Sequence, residues 1–355
     1  MNPLRYALTV IQNQLGAVPR PAWCTYLVTY RCNARCGMCD SWRMKPGVEL
    51  TVEQVRTVFA KLAPLDVVRL SGGEPFLRTD FAELAAAVLE AGRPALLHIT
   101  TNGSFPDRVA QFVESFPRPK RLRLMVSFDG LAPTHDANRG AAVRFETALE
   151  TVRRVAALRD RLGVEVSANH TVISPESLAD ADELRSTLTA LGCDVHSVLA
   201  YADSAMYGAK RRGQRAEDLL SARYPLHPKL AEADVCGFVD RELGAVRELR
   251  TWWLRWGKRY YLRGLRQRLN GQAGLARKPR CVALRSHVRL LPDGSVPVCQ
   301  FNTQTVGNLL TQSLADVWHN PATDRQRRWV DACAGCWAEC EVVPNALYSG
   351  DILRP

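Results

Sequence analysis

The sequence predicts an α/β fold: a partial, open (β/α)6 TIM-like barrel followed by a cysteine-rich C-terminal extension. Six short apolar runs alternate with helix-period segments between residues 22 and 201. Polar and cysteine-rich motifs follow those runs, at the strand ends where α/β barrels place their chemistry. Beyond Tyr201 the rhythm changes, first to a basic, aromatic-rich stretch and then to a second group of cysteines. On these boundaries residues 1–20 are a helical leader, 21–202 the barrel, 203–276 a connector or lid, and 277–355 an auxiliary cysteine domain.

Residues 4–16 carry the period of a short amphipathic helix lying against the body. Ala22–Tyr30, bounded by Pro21, reads as a buried first strand, and Cys32-Asn33-Ala34-Arg35-Cys36-Gly37-Met38-Cys39 follows it. Thr51 caps a helix, with Gln54 three residues on and Val55, Val58, Phe59 and Leu62 at helical spacing. Pro64 stops it. Asp66–Leu70 is the second strand and Ser71-Gly72-Gly73-Glu74-Pro75 its loop, whose glycines let backbone approach a ligand closely. Asp80 caps a helix through Leu89, ended by Gly92. Ala95–Thr100 and Leu122–Ser127 are strands three and four, closing on Thr101-Asn102-Gly103 and Phe128-Asp129-Gly130. Val143–Leu158 is a helix, Gly163–Val172 strand five, Ser174-Pro175 to Leu191 a helix and Asp194–Tyr201 strand six. Lys210-Arg211-Arg212 mark a connector. Arg241–Leu269 then reads as one long basic helix, with Leu249, Trp252, Trp253, Trp256, Tyr260 and Leu269 near one side. Such a helix either packs its aromatics on the barrel, the commoner arrangement, or lies in a membrane interface.

The net charge of +11 admits an anionic partner: nucleic acid, a lipid headgroup or a phosphorylated metabolite. Nucleic acid is not expected, because no module interleaves aromatic and basic residues outside 241–269. The start Met1-Asn2-Pro3-Leu4-Arg5-Tyr6 lacks the pattern of a signal peptide, and no apolar run is long enough to span a bilayer. The eleven cysteines therefore read as reduced ligands in the cytoplasm, with peripheral membrane contact through 241–269 as the one alternative.

Three thiolates spaced C-x3-C-x2-C repel one another unless a cation neutralises them, and soft sulfur suits zinc or iron–sulfur clusters. A structural zinc wants a fourth ligand, and none lies nearby. A [4Fe–4S] cluster on three cysteines leaves one iron open. Followed one βα unit later by Ser71-Gly72-Gly73-Glu74-Pro75, the triplet resembles the radical S-adenosylmethionine (SAM) superfamily. The resemblance implies that Cys32, Cys36 and Cys39 hold the cluster and that its open iron takes the amino and carboxylate groups of SAM. One electron then cleaves the sulfonium to a 5′-deoxyadenosyl radical, supplied through an external donor such as flavodoxin or ferredoxin. It further implies that Met38 sits near the adenine and that Gly72, Gly73 and Glu74 meet the methionyl moiety, with Glu74 accepting from its ammonium. Ser127, and Arg139 in His135-Asp136-Ala137-Asn138-Arg139-Gly140, match segments that hold the cofactor's carboxylate. Asn169 is the better cofactor contact on strand five, its neighbour His170 being structural.

Cys281 and Cys299 bracket a hairpin-like segment: Val288–Leu291, the turn Pro292-Asp293-Gly294, then Val296–Val298. Cys333, Cys336 and Cys340 follow. A hairpin ending in cysteine plus a distant C-x2-C surrounds a cluster or a zinc. The spacing of Cys281, Gly294 and Cys299, with Gly307-Asn308-Leu309 and Leu314–Trp318, resembles the SPASM or shorter twitch extension of radical enzymes. That implies an auxiliary [4Fe–4S] cluster on Cys281, Cys299, Cys333 and Cys336. Cys340 is surplus or an alternate fourth ligand, since the interval after Cys336 departs from the full two-cluster pattern.

The expected function is a radical SAM oxidoreductase, or other C–H functionalising enzyme, acting on a small-molecule, sugar or lipid-linked substrate. The alternatives are a ribosomal-peptide maturase and an RNA-modifying enzyme. A plain electron carrier has no use for an open iron.

Overall fold

The computed structural model describes residues 2–45, 47–201, 226–250, 252–270, 280–333 and 335–353, without the side chains of Trp252, Trp253 and Leu353. Lys210-Arg211-Arg212, with 203–225, Thr251 and 271–276 of the connector, therefore lie outside the described residues. Helix α1 (Pro3–Gln14) precedes β1 (Trp23–Leu27), α2 (Val52–Leu62), β2 (Val67–Ser71), α3 (Phe81–Gly92) and β3 (Leu96–Thr101). Next come α4 (Pro106–Ser115), β4 (Leu122–Phe128), α5 (Ala132–Arg139), α6 (Phe145–Leu162) and β5 (Glu165–Val172). They are followed by α7 (Pro175–Ala179), α8 (Ala181–Ala190), β6 (Asp194–Leu199), α9 (Glu232–Ala245) and α10 (Trp252–Leu269). The C-terminal part holds β7 (His287–Leu290), β8 (Ser295–Pro297), β9 (Thr305–Asn308), α11 (Leu314–Trp318), α12 (Pro321–Ala332) and α13 (Glu339–Ser349).

The six expected strands form one parallel sheet, and a seventh joins it: the order is β6-β5-β4-β3-β2-β1-β7. The expected hairpin over 288–298 is thus corrected. Its turn is there, with Gly294 at φ +84° and Leu291 N–H donating to Ser295 at 2.9 Å. The two arms separate, however: β7 pairs in parallel with β1, while β8 pairs antiparallel with β9. β7 covers what would otherwise be an open β1 edge, a long-range choice that local patterning does not carry. The C-terminal segment is therefore part of the barrel sheet.

Alternation sorts each strand onto two faces. Val68, Leu70, Leu97, Ile99, Leu124 and Val126 belong to one continuous core with residues of α2, α3, α4 and α6. The concave face carries Arg69, His98 and Arg123 side by side in register on β2, β3 and β4.

Helix α2 starts as expected: Thr51 and Gln54 cap each other reciprocally. Asp80 does not cap α3; its carboxylate instead takes two bonds from Arg78, at 2.9 and 2.7 Å. The helix expected from Ser174 to Leu191 is two, α7 and α8, the first opened by a Ser174–Ser177 capping box. The single helix expected over Arg241–Leu269 is likewise broken, by a 3-10 turn at Val246–Glu248 between α9 and α10. Tyr261, Leu262, Leu265 and Leu269 of α10 are buried in a second core with residues of α9 and with Trp337 and Val342. Trp256 is 51% exposed. Among the described residues no helix is long and apolar enough to cross a membrane. Helix α1 lies against the body as expected, and its partner there is α13, with Tyr6 Oη donating to the Leu347 carbonyl at 2.9 Å.

Candidate active site

The cysteine loop after β1 is stitched to the end of helix α5 on one flank and to the loop after β3 on the other. On one flank Arg35 N–H donates to the Arg139 carbonyl at 2.9 Å, and Gly37 N–H to Asn138 Oδ1 at 3.1 Å. Asn138 Nδ2 also reaches Met38 Sδ at 3.5 Å and Asp129 Oδ2 at 2.6 Å. On the other flank Asn102 Nδ2 donates to Asn33 Oδ1 at 2.8 Å, while Asn33 Nδ2 donates to Ser104 at 2.9 Å. Asn33, Asn102 and Asn138 stood within the quoted motifs in the sequence, but only as short polar residues with no assigned partner. Their role as loop clamps depends on contacts some 70 to 100 residues apart, which no local pattern carries.

Cys32, Cys36 and Cys39 are free thiols, each partly buried. Burial pushes the Cys32 thiol up to about 11, with a further push from Glu74 and Cys36. It takes Cys39 to about 12, helped by Cys36 and Cys32, and raises Cys36 as well. Thiols that raise one another in this way need a cation to become thiolates together, which is the donor chemistry an iron–sulfur cluster requires. No three His, Cys, Asp or Glu side chains among the described residues meet around a site sized for a single ion. The thiolates of a cubane bind different irons, so this donor set suits a cluster.

Gly72 and Gly73 sit where the ends of β1 and β2 touch. A Cβ at Gly72 would lie 2.2 Å from the Thr29 carbonyl oxygen, and one at Gly73 2.0 Å from that of Arg31. Gly73 N–H donates to Thr29 at 2.7 Å and Glu74 N–H to Arg31 at 2.8 Å. The close approach read as room for a ligand is thus made first to the chain's own cysteine-loop backbone. Glu74 is fully buried, and both its oxygens are engaged: Oε1 by Thr101 at 2.8 Å and Phe76 N–H at 3.1 Å, Oε2 by Asn102 N–H at 2.7 Å. Burial outweighs those bonds and lifts its carboxyl to about 7. Glu74 acts in this structure as a bolt between β2 and β3.

Arg139, at the end of α5, is 4% exposed and paired in two prongs with the fully buried Asp129, Nε to Oδ2 at 2.8 Å and Nη2 to Oδ1 at 2.6 Å. Asp129 holds the guanidinium charged despite burial, and the nearby Cys36 and Cys32 strengthen that. Ser127 and Asn169 are partners in register on β4 and β5, both partly accessible; Asn169 donates to Thr171 Oγ1 at 3.0 Å. His135 and His170 are buried, and burial lowers each to about 4, so both are neutral packing residues.

A second recess is lined by Cys281, Cys299, Cys333 and Cys336, with Phe301, Trp329, Trp337 and Glu341. Asn302 N–H and Gly335 N–H each point at a sulfur, Cys299 and Cys333, at 3.3 Å. Cys340 does not line it: its thiol donates to Gln300 Oε1 at 2.8 Å.

Residues 26–198 match the family model described as the Radical SAM superfamily, and residues 281–337 match SPASM, an iron–sulfur cluster-binding domain. The chain belongs to the radical SAM superfamily. Its cofactor set is that of a radical SAM/SPASM protein: a [4Fe–4S] cluster, SAM and an auxiliary iron–sulfur cluster. It is 33% identical over 216 residues to the Pre-heme d1 synthase of Dinoroseobacter shibae, a match covering 55% of this chain and 49% of that protein. It is 30% identical over 219 residues to the Fe-coproporphyrin III synthase of Methanosarcina barkeri, covering 59% and 53%. These matches span about half the length of those relatives. Among solved structures, Streptococcus suis SuiB bound to S-adenosylmethionine shares the fold of this chain, with a TM-score of 0.64 at 15% identity, over 89% of this chain and 70% of that one.

Proposed function

We propose that this chain is an enzyme that cleaves SAM reductively and takes hydrogen from a small organic substrate. The carrying observation is the three-cysteine loop, clamped through Arg35, Gly37 and Asn33 to the ends of α5 and β3. Such clamps hold three thiolates at fixed separations, as a cluster with one iron free for a further ligand needs. Cys32, Cys36 and Cys39 would hold a [4Fe–4S] cluster there, and its chemistry would be the one-electron reduction of the sulfonium of SAM.

The chain's residues divide the remaining work. Cys32, Cys36 and Cys39 are the ligands of the first site, and Cys281, Cys299, Cys333 and Cys336 those of the second. Ser127 and Asn169 offer partly accessible polar groups at neighbouring strand ends, and Met38 is the apolar neighbour for an adenine. Arg139 keeps Nε and Nη2 on Asp129, which orients the guanidinium for a carboxylate at its remaining nitrogen. Glu74 positions the β2 and β3 ends, the role its engaged oxygens allow. Residues 21–202 and 277–355 remain the two functional units of the reading, joined by the shared sheet. The names of the two curated relatives, both synthases of haem- or porphyrin-type compounds, support a small molecule over a peptide.

The test is direct. Anaerobically reconstituted, reduced protein incubated with SAM should release 5′-deoxyadenosine and methionine together. Intact SAM after many equivalents of reductant would contradict the proposal.

A further inference from the structure

We infer that the buried carboxylate of Glu341 tunes the auxiliary cluster, holding its reduction potential below what four cysteines alone would give. The inference rests on the ligand set proposed above, Cys281, Cys299, Cys333 and Cys336.

Alternation on β7 prepares the place of Glu341. Val288 and Leu290 belong to the core shared with the helices, so His287 and Arg289 project from the other face of the strand. Both meet Glu341, which stands in the first turn of α13. Its Oε1 accepts from Arg289 Nε at 2.9 Å and from Gln300 N–H at 3.2 Å, with Arg289 Nη2 a further 2.6 Å contact. Its Oε2 accepts no hydrogen bond among the described residues, and His287 Nδ1 stands 3.5 Å away. Burial keeps His287 neutral, so it brings no second positive charge.

Glu341 is 2% exposed, yet it lines the cysteine recess, whereas Arg289 is not among the lining residues. The ion pair therefore presents its negative end to the cysteines. A guanidinium on one oxygen and the first turn of a helix both favour the ionised carboxylate.

That placement is costly. Four thiolates around a cubane already carry excess negative charge, and a carboxylate beside them adds to it. An oxygen buried without a donor adds a desolvation cost. A residue that merely filled the wall would be apolar, as Phe301, Trp329 and Val342 are at the same recess. Charge beside a cluster is a lever on its potential: reduction adds an electron, and a neighbouring anion opposes it. Glu341 thereby favours the oxidised form of the second cluster.

The experiment uses the full chain with both clusters, reconstituted anaerobically and free of SAM. It is titrated potentiometrically with dithionite and followed by electron paramagnetic resonance. Wild type should show two transitions, and the triple variant Cys32→Ala, Cys36→Ala, Cys39→Ala identifies the one that belongs to the second cluster. In Glu341→Gln that transition should move upward by a tenfold or greater change in the oxidised-to-reduced ratio, about 59 mV for one electron. The first transition should stay in place, and both sites should keep their iron. Glu341→Asp retains the charge and should move less than Glu341→Gln. If Glu341→Gln fails to fold around its stranded arginine, the double variant Glu341→Gln, Arg289→Gln leaves no charge unpaired. Its second transition should also rise, by less than that of the single variant. A shift below threefold in folded Glu341→Gln, or a downward shift in the double variant, would overturn the inference. So would an equal shift in Glu341→Asp, which would put packing in place of charge. Loss of the second cluster from folded Glu341→Gln would overturn it too, by making the carboxylate an iron ligand. Wild type with a single transition would overturn the ligand set as well, which separates that failure from the others.

Discussion

Arg139 and Asp129 join the end of α5 to the residue after β4 through two parallel, buried hydrogen bonds of 2.8 and 2.6 Å. The Arg139 carbonyl accepts from Arg35 N–H inside the cysteine loop, so the pair also sets where that loop sits. Breaking a buried pair by removing one partner costs about 3–5 kcal/mol, because the other charge is left stranded. Asp129→Ala should therefore lower the urea-unfolding free energy by that order and reduce iron retained at the first site. Unchanged stability with full iron content would show that the pair is dispensable.

Glu74 gives a pH signature. Its carboxyl rises from 4.5 to about 7 on folding, so across that window the native state holds a proton that the unfolded chain has lost. Stability from this group is then full below pH 4.5 and falls as pH rises to 7. By linkage, the stability of wild type relative to Glu74→Gln should fall by about 3 kcal/mol across the window. Urea midpoints of both proteins at matched pH values test this; parallel curves would refute it.

Two glycines of α10 should respond oppositely. A Cβ at Gly264 would lie 1.6 Å from Trp337 Cζ2, inside a buried ring whose Nε1 already donates to the Tyr261 carbonyl at 2.9 Å. A Cβ at Gly257 meets nothing nearer than Val343 at 3.8 Å. Gly257→Ala should stabilise by up to about 1 kcal/mol through helix propensity, while Gly264→Ala should destabilise by several times that. Thermal unfolding of both variants measures it. A tolerant Gly264→Ala would mean that α10 is not locked to the auxiliary segment.

At the second recess, Cys336→Ser should lose about four irons per chain and Cys340→Ser none, because only the former lines the cavity. Iron and zinc analysis of reconstituted protein decides this. One zinc in place of the second cluster, or equal iron loss in both variants, would overturn the ligand assignment.

Much of this fold was legible locally. Thr51 with Gln54 marked a helix start, and each of β1 to β6 announced itself as an apolar run ending in polar or cysteine residues. What stayed hidden was partner choice. The run at 288–291 looks the same whether it folds back on 296–298 or reaches β1, and only the tertiary structure selects the second. Asp80 beside Arg78 illustrates the same limit: a cap-competent carboxylate found a stronger partner two residues away. Arg69 and Arg123 sat inside apolar runs as single exceptions, and only the register that stacks them with His98 makes them a cluster. The cysteines of both sites could be read early because metal ligation imposes spacing on sequence. Their clamps, Asn33, Asn102 and Asn138, could not, because a hydrogen bond across strands imposes none.

The central claim is that Cys32, Cys36 and Cys39 carry the cluster that cleaves SAM. Its most direct test compares wild type with the triple variant Cys32→Ala, Cys36→Ala, Cys39→Ala, each reconstituted anaerobically, reduced and supplied with SAM. The variant should carry about four fewer irons per chain, keep the spectrum of the second cluster, and form no 5′-deoxyadenosine. Continued 5′-deoxyadenosine formation by that variant would contradict the account.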